Sequence, residues 1–133
     1  MEKLTDKIAT GADKILIVDD NEQVCVMLSN FLTSFGYSIL VAVDGQDAIE
    51  KYKQHIDNIH LIIMDIVMPQ KDGIHAYVEL LEINPDIKVI LMTGYDAGHL
   101  DELNDLGVPL PDLVQKPFSP IDLLHKITEY TSK

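Results

Sequence analysis

From Lys14 onward, short apolar runs alternate with longer stretches in which apolar residues recur every three or four positions. The runs KILIV (Lys14 to Val18), Ser38 to Ala42, Leu61 to Met64, KVILM (Lys88 to Met92) and the shorter Leu113 to Gln115 read as strands buried on both faces. A first helix is expected from Glu22 to Phe35, with Val24, Met27, Leu28, Phe31 and Phe35 on its inner face and Gly36 ending it. Asp44 and Asp47 look like an N-cap pair that opens a second helix to about His55. A third runs from Gly73 to Ile83 and stops at Asn84-Pro85, because the residue before a proline is pushed out of the α region. The fourth, Ala97 to Leu106, is weaker: Gly98 lies inside it, its apolar positions are Leu100, Leu103 and Leu106, and Gly107 closes it. The last has Ser119 as N-cap, Pro120 at its first position and Asp122 three residues after the cap, and should reach about Tyr130.

Five apolar strands separated by helices imply a parallel sheet covered on both faces, and right-handed crossovers make it a doubly wound α/β domain. Ligands of such sheets bind beyond the carboxyl ends of the strands. Asp19 and Asp20 follow the first strand, Asp65 the third, Thr93 and Gly94 the fourth, and Lys116 the fifth. Three carboxylates, a hydroxyl and an ammonium therefore converge on one edge of the sheet. For Asp65 itself two readings stand: a turn cap, or a side chain held at the strand end to react or bind.

The chain has 133 residues, which suits one domain with a single core. With 47% hydrophobic and 24% charged residues it has the composition of a soluble globular protein, and no stretch is apolar for long enough to span a bilayer. The start, MEKLTDKIATGADK, contains no secretory h-region, so a cytoplasmic location is the default expectation. Cys25, the single cysteine, sits among apolar residues and reads as a buried, reduced thiol. A net charge of −12 argues against nucleic-acid and anionic-membrane partners.

The carboxylate cluster narrows the chemistry. Two unit charges about 4 Å apart repel by roughly 4 kcal/mol at an effective dielectric near 20, so the three either hold a proton or hold a cation. Mg²⁺ suits them better than Ca²⁺, since it needs only one or two carboxylates and leaves positions for phosphate oxygens. Zinc does not suit them: His55, His60, His75, His99 and His125 are scattered as surface or packing residues, and Cys25 is alone. With Mg²⁺ present, Asp65 could attack phosphorus, Lys116 could balance the added charge, and Thr93 could donate a hydrogen bond to a phosphoryl oxygen.

Taken in order, LIVDD, LIIMDIVMPQKDG, VILMTGY and LVQKPFS resemble the receiver domain of two-component response regulators. The resemblance covers Lys14 to the C-terminus, leaving residues 1–13 as a polar lead-in or linker and 14–133 as the receiver. It implies a flavodoxin-like sheet with strand order 2-1-3-4-5, flanked by five helices. It implies that Asp65 is the phosphoacceptor, taking a phosphoryl group from a phosphohistidine of a sensor histidine kinase or histidine phosphotransfer domain. Mg²⁺ would be the cofactor, with Mn²⁺ as a substitute. Asp20 would ligate it directly, Asp19 mostly through water, and the backbone carbonyl of Val67 would be the third protein ligand, beside the phosphoacceptor Asp65. Thr93 and Lys116 match the switch hydroxyl and the phosphate-binding lysine, and Lys116-Pro117 matches a dipeptide that is commonly cis in the family. Phosphorylation would switch the surface of helix 4, strand 5 and helix 5. The chain would then not be a conventional enzyme, and it would be a monomer or a weak phosphorylation-dependent dimer.

Some positions depart from the family pattern. Many receivers have an aromatic residue three before the lysine; here it is Leu113, and Tyr95 is the aromatic that could act from another direction. Leu113, TGY and QKPFSP together resemble receivers attached to hybrid sensor kinases. LGVPLPD places two prolines before the fifth strand, which should stiffen that connection. Val67 and Tyr95 flank the expected path of the attacking water, and neither orients water as a carboxylate or amide does, so the phosphoryl group should be long-lived. Val26 is expected on the outer face of the first helix, and Asp101, Glu102 and Asp105 on a solvated face of the fourth. Two other functions compete: a receiver-like protein-binding module without phosphorylation, and a Mg²⁺-dependent aspartyl-nucleophile phosphatase. The second wants an aspartate where Val67 stands. The chain reads as a stand-alone receiver or as a piece of a longer protein.

Overall fold

Alternate residues of each central strand feed opposite layers of core. In the computed structural model, β1 (Lys14–Val18) sends Ile15 and Ile17 to one side and Leu16 and Val18 to the other, all fully buried. The described residues are 14–68, 71–94, 98–116 and 118–131, without the side chains of 98–100 and 131. The lead-in 1–13, Pro69, Tyr95, Ala97 and Pro117, with its bond to Lys116, lie outside them.

The elements follow in strict alternation: α1 (Glu22–Thr33), β2 (Ser38–Ala42), α2 (Gly45–Gln54), β3 (Ile59–Asp65), α3 (Gly73–Ile83), β4 (Val89–Thr93), α4 (Gly98–Leu106), β5 (Asp112–Gln115) and α5 (Pro120–Thr131). The sheet is parallel throughout in the order β2-β1-β3-β4-β5, the flavodoxin-like order expected. One core layer joins Cys25, Leu28 and Leu32 of α1 and Leu123 and Ile127 of α5 to the sheet. The other joins Ala48, Ile49 and Tyr52 of α2, Ile74, Tyr77 and Leu80 of α3, and Leu103 of α4.

Helix ends follow local side-chain chemistry. Asp44 caps α2 by accepting the Asp47 N–H at 2.8 Å, and the Asp47 carboxylate accepts the Val43 N–H at 3.0 Å. Asp72 caps α3 through the His75 N–H at 2.9 Å, and Asn84, extended ahead of Pro85, ends it. Ser119 accepts the Ile121 N–H at 3.2 Å and opens α5. Gly36 (φ 95°) and Gly107 (φ 71°) take the left-handed conformation after α1 and α4.

Several boundaries and faces differ from expectation. α1 ends at Thr33, and its inward stripe is Cys25, Leu28 and Leu32. Met27 and Phe35, expected inside, are 43% and 44% exposed. The buried stripe is set by what α5 and the sheet leave room for, and Phe35 falls in the turn beyond the helix, edge-on to Phe31. Of the apolar positions expected in α4, Leu106 is 54% exposed, and Leu103 is the buried side chain among those described. β2 is half-buried except at Ala42, because it is an edge strand. β3 starts at Ile59 and includes Asp65, β4 spans Val89–Thr93, and β5 starts at Asp112.

Candidate functional site

Strand register brings the polar residues level. Val18 pairs with Met64, so Asp19 leaves β1 beside Asp65 at the end of β3. Asp65 pairs with Met92, one residue before Thr93, and Thr93 pairs with Gln115, one residue before Lys116. A short backbone bond, Lys116 N–H to the Thr93 carbonyl at 2.6 Å, continues the β4–β5 ladder and aims the lysine back over the strand ends.

Asp19 is 1% exposed and every oxygen of it is engaged. One carboxylate oxygen accepts the Asn21 N–H at 2.8 Å, the other lies 3.2 Å from Lys116 Nζ, and the carbonyl accepts the Cys25 thiol at 3.2 Å. Asp65 is 9% exposed and lies 3.2 Å from the same ammonium. Asp20 is exposed, yet Asp19, Asp20 and Asp65 each bring an oxygen within 4.8 Å of the others. Among the described residues this is the one such group of histidine, cysteine or acidic side chains.

Electrostatics match the geometry. Burial pushes the Asp65 pKa up; Lys116 pulls against it, Asp19 adds to it, and the Val67 N–H helps to hold the anion. Burial pulls the Lys116 pKa down, but Asp65 and Asp19 outweigh it and the net shift is upward. The Cys25 thiol is pushed up by burial and by Asp19, so it is a packed, protonated group.

The donor set fits Mg²⁺. All three side chains offer hard oxygens, histidine and cysteine donors are absent from the group, and exposed Asp20 leaves the site open for retained waters or phosphate oxygens.

The loop after Asp65 is closed by Gly73, whose N–H donates to the Ile66 carbonyl at 2.7 Å. The φ of Gly73 is ordinary, and what the glycine provides is space, since a Cβ there would lie 2.4 Å from the Asp65 carbonyl oxygen. Val67 is 68% exposed at the mouth of the site, and Val26 and Val43 are exposed in the groove beside Asp19 and Asp20. Leu113 is half-buried, packed on the core layer of α2, α3 and α4. Sequence reading passed over Gly45 and Lys71, which meet across the same loop. A glycine directly after the helix-capping Asp44 was the available signal.

The family model described as "Response regulator receiver domain" matches residues 15–128. The chemotaxis protein CheY of Thermotoga maritima is 33% identical over 120 residues, covering 87% of this chain and 98% of that protein. The probable transcriptional regulator ycf27 of Cyanidium caldarium is 36% identical over 113 residues, covering 85% of this chain; the chain spans only 44% of that relative's length. Among solved structures, the CheX–CheY–BeF3–Mg complex from Borrelia burgdorferi contains a chain that superposes with a TM-score of 0.77 at 29% identity, covering 87% of each. The chain belongs to the response regulator receiver domain family.

Proposed function

We propose that this chain is a phospho-accepting receiver in which Asp65 takes a phosphoryl group from the phosphohistidine of a sensor histidine kinase or histidine phosphotransfer domain. The observation that carries the reading is the Lys116 ammonium held 3.2 Å from both Asp65 and Asp19 at the mouth of an all-oxygen cluster. An Asp65 oxygen attacks phosphorus, the phosphorus–nitrogen bond of the donor breaks, and the imidazole leaves with a proton. When bound, Mg²⁺ supplies the positive charge that lets a phosphate approach the carboxylates and offers open positions to its oxygens. Asp20, Asp19 through water, Asp65 and the Val67 carbonyl are the residues that would hold it. Lys116 turns from its two carboxylates toward the added phosphoryl charge, and the Thr93 hydroxyl donates to a phosphoryl oxygen. The receiver unit runs from Lys14 to the C-terminus, and its output face comprises α4, β5 and α5.

Incubation with acetyl phosphate and Mg²⁺ tests the reading. A stable mass gain of one phosphoryl group, lost in Asp65→Asn, supports it. Catalytic turnover of phosphate esters would instead indicate an aspartyl phosphatase, and no reaction at all a passive binding module.

A further inference from the structure

The loop after Asp65 is fastened at two places, and only one belongs to the site itself. At its base, Gly73 bonds to Ile66 and packs on the Asp65 carbonyl. Farther along, the Lys71 carbonyl accepts the Gly45 N–H at 3.1 Å, and the Lys71 ammonium pairs with Glu79 of α3. A Cβ on Gly45 would lie 2.3 Å from the Lys71 carbonyl oxygen and 3.0 Å from its carbonyl carbon, so the first residue of α2 must be glycine for the loop to come this close. Lys71 is thus gripped through its backbone by α2 and through its side chain by α3, although neither Gly45 nor Lys71 belongs to the acidic cluster.

We propose that Lys71 is a positioning residue for the metal site: held by α2 and α3, it fixes the end of the connection from β3 to α3 whose start, at Val67, presents its backbone to Mg²⁺. The inference rests on the receiver reading, in which this loop supplies a ligand through Val67. Coulomb's law gives a discriminating sign. Removing a cation from an already acidic protein should by itself tighten Mg²⁺ binding, whereas releasing the loop should weaken it.

The test uses the full chain, labelled for NMR, with Mg²⁺ as the probe. Lys71→Met keeps most of the aliphatic stem and removes the ammonium. It is expected to weaken Mg²⁺ binding roughly three- to tenfold and to speed exchange of the Gly45 amide in metal-free protein by a similar factor. The unfolding midpoint should barely move, because the pair with Glu79 is partly exposed. Gly45→Ala should weaken binding further, and if it does not fold, Lys71→Met decides alone. Mg²⁺ affinity equal to or tighter than the parent's overturns the proposal, and so does an unchanged Gly45 exchange rate. Should the parent itself bind no Mg²⁺, the receiver reading fails, and the exchange rate still shows whether Lys71 holds the loop.

Discussion

Lys116 Nζ stands 3.2 Å from an Asp65 oxygen, although 51 residues separate the two in the chain. The same nitrogen is 3.2 Å from Asp19, so one ammonium balances two buried carboxylates. Truncating it removes the cation that both carboxylates share among the described residues. Lys116→Ala is expected to destabilise the metal-free protein at neutral pH by about 1–3 kcal/mol, and Mg²⁺ should restore more stability to the variant than to the parent. Urea unfolding with and without Mg²⁺ measures both effects. Equal Mg²⁺ stabilisation of the two proteins would contradict the shared-cation arrangement.

Asp65 should show a pH dependence opposite to that of an ordinary ion-paired carboxylate. Burial, with Lys116 opposing and Asp19 assisting, holds its pKa above the usual 3.8. Between the unfolded and folded values the native state binds more protons, so stability falls as pH rises through that window. Above it, Asp65 is a charge the fold must carry. Asp65→Asn is expected to stabilise metal-free protein at neutral pH by about 1–2 kcal/mol, with the gain fading as pH falls toward the unfolded carboxylate range. Denaturation midpoints across that range give the answer. A variant no more stable than the parent at neutral pH would refute the assignment.

Gly73 is a steric requirement at the end of β3. Gly73→Ala places a methyl 2.4 Å from the Asp65 carbonyl oxygen, with Ile66 Cα 2.8 Å away, so backbone must move. The expected cost is about 1–3 kcal/mol of stability together with weaker Mg²⁺ binding. Calorimetry and metal titration measure the pair; loss of stability with unaltered metal affinity would show that the strand end tolerates the shift.

In the receiver reading, the exposed Val67 side chain would offer no polar atom to a water approaching a phosphoryl group on Asp65. Val67→Asn combined with Tyr95→Glu is expected to speed loss of the phosphoryl group by roughly tenfold, since oriented polar groups can position the attacking water. Tyr95 enters this prediction by its place in the sequence, two residues after Thr93. Decay is followed after removal of the phosphodonor, and an unchanged rate would sink the idea.

What the sequence disclosed, and what it did not, divides along physical lines. The placement of Asp19, Asp20, Asp65, Thr93 and Lys116 at one edge was legible because each ends a strand or follows one within two residues, and parallel strands place their ends on one edge. Ser119 and Asp44 were legible because capping is local chemistry. The inner stripe of α1 was misread by choosing the bulkiest apolar residues, Met27 and Phe35, when Cys25 and Leu32 occupy the space between sheet and α5. Gly45 against Lys71 was invisible for a different reason. It is a backbone-to-backbone approach between elements 26 residues apart, and only the packed loop shows that no methyl group fits there.

The most direct test of the central claim is chemical trapping of the acceptor. After phosphorylation with acetyl phosphate and Mg²⁺, borohydride reduces an aspartyl phosphate to homoserine, and peptide sequencing by mass spectrometry locates it. The expected result is homoserine at position 65, absent without phosphodonor and absent when Mg²⁺ is chelated. Homoserine at another aspartate, or none despite a phosphoryl mass gain, would contradict Asp65 as the phosphoacceptor.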